Sequence, residues 1–221
     1  MPTVRVANSG ETLQVGKIIC VGSNYAEHVK EMKAEVPEKP LLFLKPPSAL
    51  IRSGEDIVIP RISKEVHHEV EIVVLIGSGG KKIREDAAHE CVFGYGVGLD
   101  MTLRDVQRAA KERGWPWAVA KGFDTSAPVS DIIPKERVAS AAGLEIRCSV
   151  NGAQRQQGLA SAMIFSVEKL VSYISALFTL ERGDLIFTGT PQGVAKVEPG
   201  DLIEAELVGY AKTTHHVRND E

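Results

Sequence analysis

The chain has 221 residues, 43% hydrophobic and 25% charged, the make-up of a globular protein with one sizeable core. Its net charge is −3 and it has no Lys/Arg run, so it offers no phosphate track for nucleic acid. No apolar run reaches membrane-spanning length, Met1 to Gly10 lacks the layout of a secretory signal, and Cys20, Cys91 and Cys148 lie far apart with no Cys-x-x-Cys pair; these features predict a cytoplasmic protein with reduced thiols, on no membrane.

Residues 1–16 read as a short strand and turn, an N-terminal arm ahead of a single domain over 17–221. Lys17 to Gly22 is a buried strand closed by glycine. Residues 23–33 then predict a short helix capped by Ser23 or Asn24, with His28 and Glu31 on one face. Pro37 and Pro40 forbid its continuation. A short polar helix between a glycine turn and a proline loop has the character of a lid. Leu41 to Leu44 is a strand that delivers Lys45 just before Pro46-Pro47, and Ile57 to Pro60 is another.

Val66 to Gly77 predicts a long strand that starts with alternation and then runs apolar into the core. Glu69 and Glu71 share a face, roughly 7 Å apart along the chain. Two carboxylates this close repel unless a positive charge sits between them, and a hard divalent cation would supply it. Parity alone also allows a solvated strand edge. His67 has the same parity, as a ligand or a structural residue, whereas His68 faces the other way into packing.

Residues 84–90 predict a helix. Val92 to Met101 returns as a strand with Gly94, Gly96 and Gly98, which clear one face for close approach, and with Asp100 at its end. Asp100 is the candidate third oxygen ligand. Three carboxylates with open positions suit Mg²⁺ or Mn²⁺ better than Zn²⁺. Thr102 and Asp105 make a variant capping box for a helix to Arg113, on which Arg104 and Gln107 share a face. Lys121 follows in irregular structure. Residues 144–150 lead into Asn151-Gly152, the strongest hairpin signal in the chain, and residues 166–179 carry a helical stripe. Leu185 to Phe187 ends in the turn Thr188-Gly189-Thr190-Pro191. Two alternating segments, 202–208 and 211–217, close the chain. Many short strands with about three helices, without a regular βαβ rhythm, predict a mixed, strand-dominated α+β domain.

Gly-x-Ser-x-Gly and Gly-x-x-x-x-Gly-Lys-Ser/Thr are both missing, and Gly94-x-Gly96-x-Gly98 opens no helix, so hydrolase-elbow, P-loop and dinucleotide chemistries find no support. His28 beside Glu31 forms a possible base dyad, although as a bare pair it also reads as an ordinary helix-surface contact.

Six stretches occur together and in order: Val21 to His28, Leu42 to Pro46, His67 to Glu71, Gly94 to Gln107, Lys121 to Asp124, and Phe187 to Val194. On these the chain resembles the fumarylacetoacetate hydrolase superfamily, in particular its small single-domain members. The resemblance implies a β-roll or barrel-like fold and a homodimer. It assigns Glu69, Glu71 and Asp100 to Mg²⁺ or Mn²⁺, and His28 with Glu31 to a lid that activates water. Lys121 would polarise or anchor the substrate, Ser23, Arg104, Gln107 and Thr190 would line the substrate side, and Lys45 would stand either behind the metal ligands or on the substrate side.

Such a site takes a small 2-oxo acid through its carboxylate and 2-oxo oxygen, and stabilises an enolate as a bond further along breaks. The leading expectation is a hydrolase that cleaves a C–C bond in acylpyruvates such as fumarylpyruvate or acetylpyruvate. Oxaloacetate decarboxylation and the isomerisation or tautomerisation of 2-oxo-heptene-dioates are the alternatives on the same scaffold, and a non-catalytic metal-binding homologue is the alternative of another class.

Overall fold

The structure, a computed structural model, describes residues 2–220. It is strand-dominated, with three helices of six residues or more, Ala26–Glu31, Arg104–Arg113 and Val167–Leu177, and two single turns, Ala88–Cys91 and Ala118–Lys121. The second of these turns carries Lys121, where the sequence predicts irregular structure. The main sheet is mixed and curled. Its strands run in the order Leu41–Lys45, Ile18–Gly22, Leu185–Phe187, Val70–Ile76, Val92–Leu99, Ala127–Val129 and Leu50–Arg52. A second, five-stranded sheet is built from the Asn151-Gly152 hairpin, the Leu202–Leu207 and Ala211–Asn219 pair, and Ile57–Ile59.

The Val70–Ile76 strand is buried on both faces. Val70, Ile72, Val74 and Ile76 enter the larger core with Ile146, Ile203 and Leu207 of the second sheet and Leu170, Val171 and Ile174 of the last long helix. Val73 and Leu75 enter a smaller core with Ile18, Cys20 and Phe187. Glu71 shares the parity of Val73 and Leu75, so its carboxylate is carried to the face of an interior strand. Burying each of these aliphatic side chains is worth about 1.5–3 kcal/mol, which holds the strand in register against the cost of the buried acid.

Residues Thr3–Arg5 and Thr12–Gln14 form an antiparallel hairpin whose Val4, Val6, Leu13 and Val15 are buried in the smaller core. The segment expected as an arm therefore lies against the same packing as the central strand.

Three local expectations are corrected. The strand expected over 66–77 breaks at Glu69: Val66–His68 pairs with Thr102–Leu103 and Ala195–Val197, whereas Val70–Ile76 pairs with the main sheet. Thr102 is not a helix cap. It lies in that short strand, and the helix starts at Arg104 without a side-chain cap, while Asp105 accepts from Ser63 Oγ and the Lys64 N–H. Nor do Ser23 or Asn24 cap the first helix, whose N-cap is Tyr25. Asn24 instead cross-links the fold, donating to the Phe165 and Thr188 carbonyls and accepting from the Phe165 N–H. Ser23 takes a left-handed φ of 59°.

The glycine-laced strand is crowded as expected. A Cβ on Gly98 would lie 2.8 Å from both Phe187 and Val73 side chains. No helix among the described residues is long and apolar enough to cross a membrane.

Candidate active site

Antiparallel pairing sets the site's frame. Val70 lies opposite Leu99 and Glu71 opposite Gly98, and the Asp100 N–H donates to the Glu69 carbonyl at 2.8 Å. Glu69, Glu71 and Asp100 thus sit at the end of one two-strand ladder. Each is buried, and one carboxylate oxygen from each lies within 4.8 Å of the others.

The three acids differ in their partners. Glu69 meets Arg104 Nη2 through Oε1 and Lys121 Nζ through Oε2, the latter at 2.7 Å. Burial works against its charge, but Lys121 and Arg104 outweigh it and hold the carboxyl well below the usual range. Asp100 Oδ2 receives Lys121 Nζ at 2.6 Å. Its Oδ1 is 2.8 Å from Lys45 Nζ, but off any hydrogen-bonding direction, so this buried oxygen keeps no hydrogen bond. Among the described residues Glu71 accepts only the Gly189 N–H, at 2.7 Å. Burial, with Asp100 and Glu69 adding repulsion, pushes its carboxyl well above the usual range.

This donor set fits a divalent cation. All three groups are oxygen donors, which favours Mg²⁺ or Mn²⁺ over a softer metal. The unbonded Asp100 Oδ1 and the under-compensated Glu71 are the atoms such an ion would satisfy. His67 stands outside the cluster, with Nε2 3.2 Å from Glu65 and Nδ1 accepting from Arg104 Nε. His68 packs inward against Gln156.

Around the acids, one cavity of about 80 Å³ gathers Ser23, His28, Arg104, Gln107, Lys121 and Thr190. His28 Nδ1 is 3.0 Å from Glu31 Oε2, and Glu31 Oε1 accepts the Gly193 N–H at 3.0 Å. That second bond ties the short helix to the loop after Thr190. Arg104 Nη1 donates to Gln107 at 2.7 Å, fixing the amide with its NH₂ group free of that bond.

Two lysines are committed to protein partners. Lys45 is fully buried beneath Asp100, donating to the Met101 and Lys121 carbonyls, and does not line the cavity. Lys121 is spent on Glu69, Asp100 and Thr102 Oγ1. Burial opposes its charge, yet Asp100 and Glu69 raise its pKa.

Gln156 and the Gly193 N–H group escape the sequence reading, whereas the 188–191 turn is legible there as a source of hydroxyls and backbone N–H groups. Gln156 accepts from the Val70 N–H, shares its Oε1 with His68, and donates to Thr190 Oγ1 and the Pro191 carbonyl. It therefore joins the broken strand to the Thr190 turn. A single buried Gln in an exposed polar run gives no sequence signal, whereas the glycines of 188–194 hint at backbone donors.

The fumarylacetoacetate (FAA) hydrolase C-terminal profile matches residues 17–218. The chain belongs to this family. Oxaloacetate tautomerase FAHD1, mitochondrial, of Mus musculus is 47% identical over 204 residues, 92% of each chain. Oxaloacetate tautomerase YcgM of Escherichia coli is 46% identical over 201 residues, 90% of this chain and 92% of that one. Among solved structures, fumarylpyruvate hydrolase from Pseudomonas aeruginosa in complex with Mn²⁺ and pyruvate is similar at a TM-score of 0.95 and 38% identity, covering 99% of this chain and 96% of that one. These relatives are enzymes, and this chain carries an acidic cluster that suits a divalent metal.

Proposed function

We propose that this chain is a divalent-cation-dependent enzyme of short 2-oxo dicarboxylic acids that interconverts the keto and enol forms of oxaloacetate. The observation that carries the reading is the His28–Glu31 dyad, which opens onto the same small cavity as Glu69, Glu71 and Asp100. Tautomerisation asks for little more. A base takes a proton from C3, the C2–C3 double bond forms as charge gathers on the 2-oxo oxygen, and a proton is returned to that oxygen. No other reactant enters or leaves.

His28 is the group placed to take and return the proton. Glu31 fixes its ring. Glu69, Glu71 and Asp100 would hold a Mg²⁺ or Mn²⁺ ion, which when bound stabilises negative charge on the 2-oxo oxygen. Arg104 and Gln107 orient the substrate from one helix face, and Thr190, placed by Gln156, closes the opposite wall. Lys121 and Lys45 hold the acids in position. The two oxaloacetate tautomerases, similar over nearly their full length, support this substrate and reaction. The free Cys20, Cys91 and Cys148 fit a reducing compartment such as the cytoplasm.

Acylpyruvate hydrolysis is the second reading. It is favoured by a further cavity of about 410 Å³, lined by Glu31, Met32, Arg104 and Gln107, with room for a longer acyl tail. The similarity to fumarylpyruvate hydrolase points the same way. There His28 would take its proton from water instead of from carbon.

One experiment separates them: the Mg²⁺-loaded protein is given oxaloacetate, fumarylpyruvate, acetylpyruvate and a 2-oxohept-3-ene-dioate side by side. Accelerated decay of enol-oxaloacetate without pyruvate release is the expected result. Pyruvate release from fumarylpyruvate at a higher kcat/KM selects the second reading, and pyruvate with CO₂ from oxaloacetate selects decarboxylation. Inactivity on all four overturns the enzyme assignment.

A further inference from the structure

The Arg104–Arg113 helix carries Arg104, Gln107 and Lys111 at spacings of three and four, so the three lie on one face. From Arg104 to Lys111 the helix rises about 10 Å. The face starts at the Arg104–Glu69 pair, beside the acidic cluster, and ends at Lys111, which lines both the small cavity and the larger one adjoining it.

Lys111 is distinctive in its lack of a counter-charge. The other cationic or basic side chains lining these two cavities have acid partners: Arg104 and Lys121 on Glu69, His28 on Glu31, and His67 and Arg108 on Glu65. Among the described residues no acid forms an ion pair with Lys111. Its ammonium lies instead 5.0 Å from the centre of the Trp117 ring. Trp117 packs edge-on against Phe43, and both line the small cavity. The Lys111 ammonium, in no ion pair among the described residues, thus stands beside an apolar wall of Trp117 and Phe43. Partial burial, with repulsion from Arg104 and Lys121 outweighing attraction from Glu69, lowers the pKa of this lysine.

We infer that Lys111 is a specificity-determining residue that receives the distal carboxylate of a 2-oxo dicarboxylic acid, while the 2-oxo end lies at the Glu69–Glu71–Asp100 cluster. This rests on the proposed function for the 2-oxo end and adds the reason why dicarboxylates would be chosen over monocarboxylates. Lys111 is exposed, so a charge-assisted contact at its ammonium discriminates by up to about fivefold. The carbon chain between the two ends runs along Trp117 and Phe43, which tolerate short saturated or unsaturated chains.

The test uses two stable ligands with the same five-carbon chain, 2-oxoglutarate and 2-oxopentanoate, titrated calorimetrically into the Mg²⁺-loaded protein. The wild type is expected to prefer 2-oxoglutarate by about threefold to fivefold. Lys111→Met should erase that preference and leave 2-oxopentanoate binding unchanged, and Lys111→Arg should keep it. In turnover, Lys111→Met should raise the KM for oxaloacetate with kcat within about twofold. A preference that survives in Lys111→Met, or is missing in the wild type, overturns the role, as does equal weakening of both ligands. If 2-oxopentanoate binds the wild type but shows no dependence on Mg²⁺, the proposed function fails instead. If neither ligand binds, both fall.

Discussion

Glu71 accepts the Gly189 backbone N–H at 2.7 Å, and among the described residues no Lys, Arg or His forms an ion pair with it. Its two neighbours in the cluster each have at least one lysine. Glu71 is therefore the carboxylate with most to gain from a bound cation. At a cation concentration about a hundred times Kd, ligand binding stabilises a fold by about 2.7 kcal/mol, a Tm rise of roughly 5–10 °C for a domain of this size. Thermal melts with Mg²⁺ against a chelator should show that rise in the wild type and none in Glu71→Gln. Without metal, Glu71→Gln should be at least as stable as the wild type, because the buried charge is gone. A wild-type metal shift retained in the variant removes Glu71 from the ligand set.

His28→Ala should lower kcat for the tautomerase reaction by about 10²–10⁴-fold, the usual range for a lost general base. Metal titration should give a nearly unchanged Kd, since among the described residues His28 pairs with Glu31 and forms no hydrogen bond or ion pair with the three acids. Glu31→Gln should cost less, because the ring keeps a hydrogen-bond partner and the Gly193 N–H keeps an acceptor. Full activity in His28→Ala would assign the proton transfer to another group.

Gly189 holds φ at +100°, and a Cβ there would lie 2.6 Å from Asn24 Cβ. Gly189→Ala must strain the backbone, at about 1–3 kcal/mol, and disturb the Asn24 cross-link. A Tm lower by roughly 2–12 °C should be measured, together with weakened metal binding through the displaced N–H. A variant as stable as the wild type would show that the turn relaxes freely.

His215 is buried on the second sheet, between the Glu55 carbonyl at 2.8 Å and Thr213 Oγ1 at 2.6 Å. Burial lowers its pKa below the ordinary 6.5. The unfolded chain then binds the proton more readily than the folded one, so stability is complete above pH 6.5 and falls as the pH drops through that value. Melts between pH 8 and pH 5 should show this decline, and His215→Gln should flatten it. An equal slope in the variant would place the acid sensitivity elsewhere.

Strand parity puts Glu69 and Glu71 on one face and the glycine-laced strand offers Asp100 as a third ligand, but parity does not tell that the strand breaks at Glu69 or that His67 stays outside the cluster. Parity and glycine spacing are local properties of extended chain. The caps were misread because Thr102 and Asn24 have the right chemistry for helix ends but are claimed by tertiary contacts: Thr102 by Lys121 and a strand pair, Asn24 by Phe165 and Thr188. Lys121 shows the same limit. A lysine in a loop reads as a free charge, and only folding reveals that Glu69 and Asp100 have already taken it. Gln156 and Lys111 were invisible because each gains meaning from residues distant in sequence, Thr190 in one case and Trp117 in the other.

The ladder that pairs Glu71 with Gly98 also sets a gauge. Strand rise and interstrand spacing are constants of the polypeptide, so the backbones under the three acids cannot be moved apart or together to suit an ion. Adjustment is left to side-chain length alone, one methylene at a time. A lineage needing a larger or smaller ion would have to change residue types at 69, 71 or 100, whereas one needing a different substrate could redraw the far end of the 104–113 helix and leave this gauge untouched.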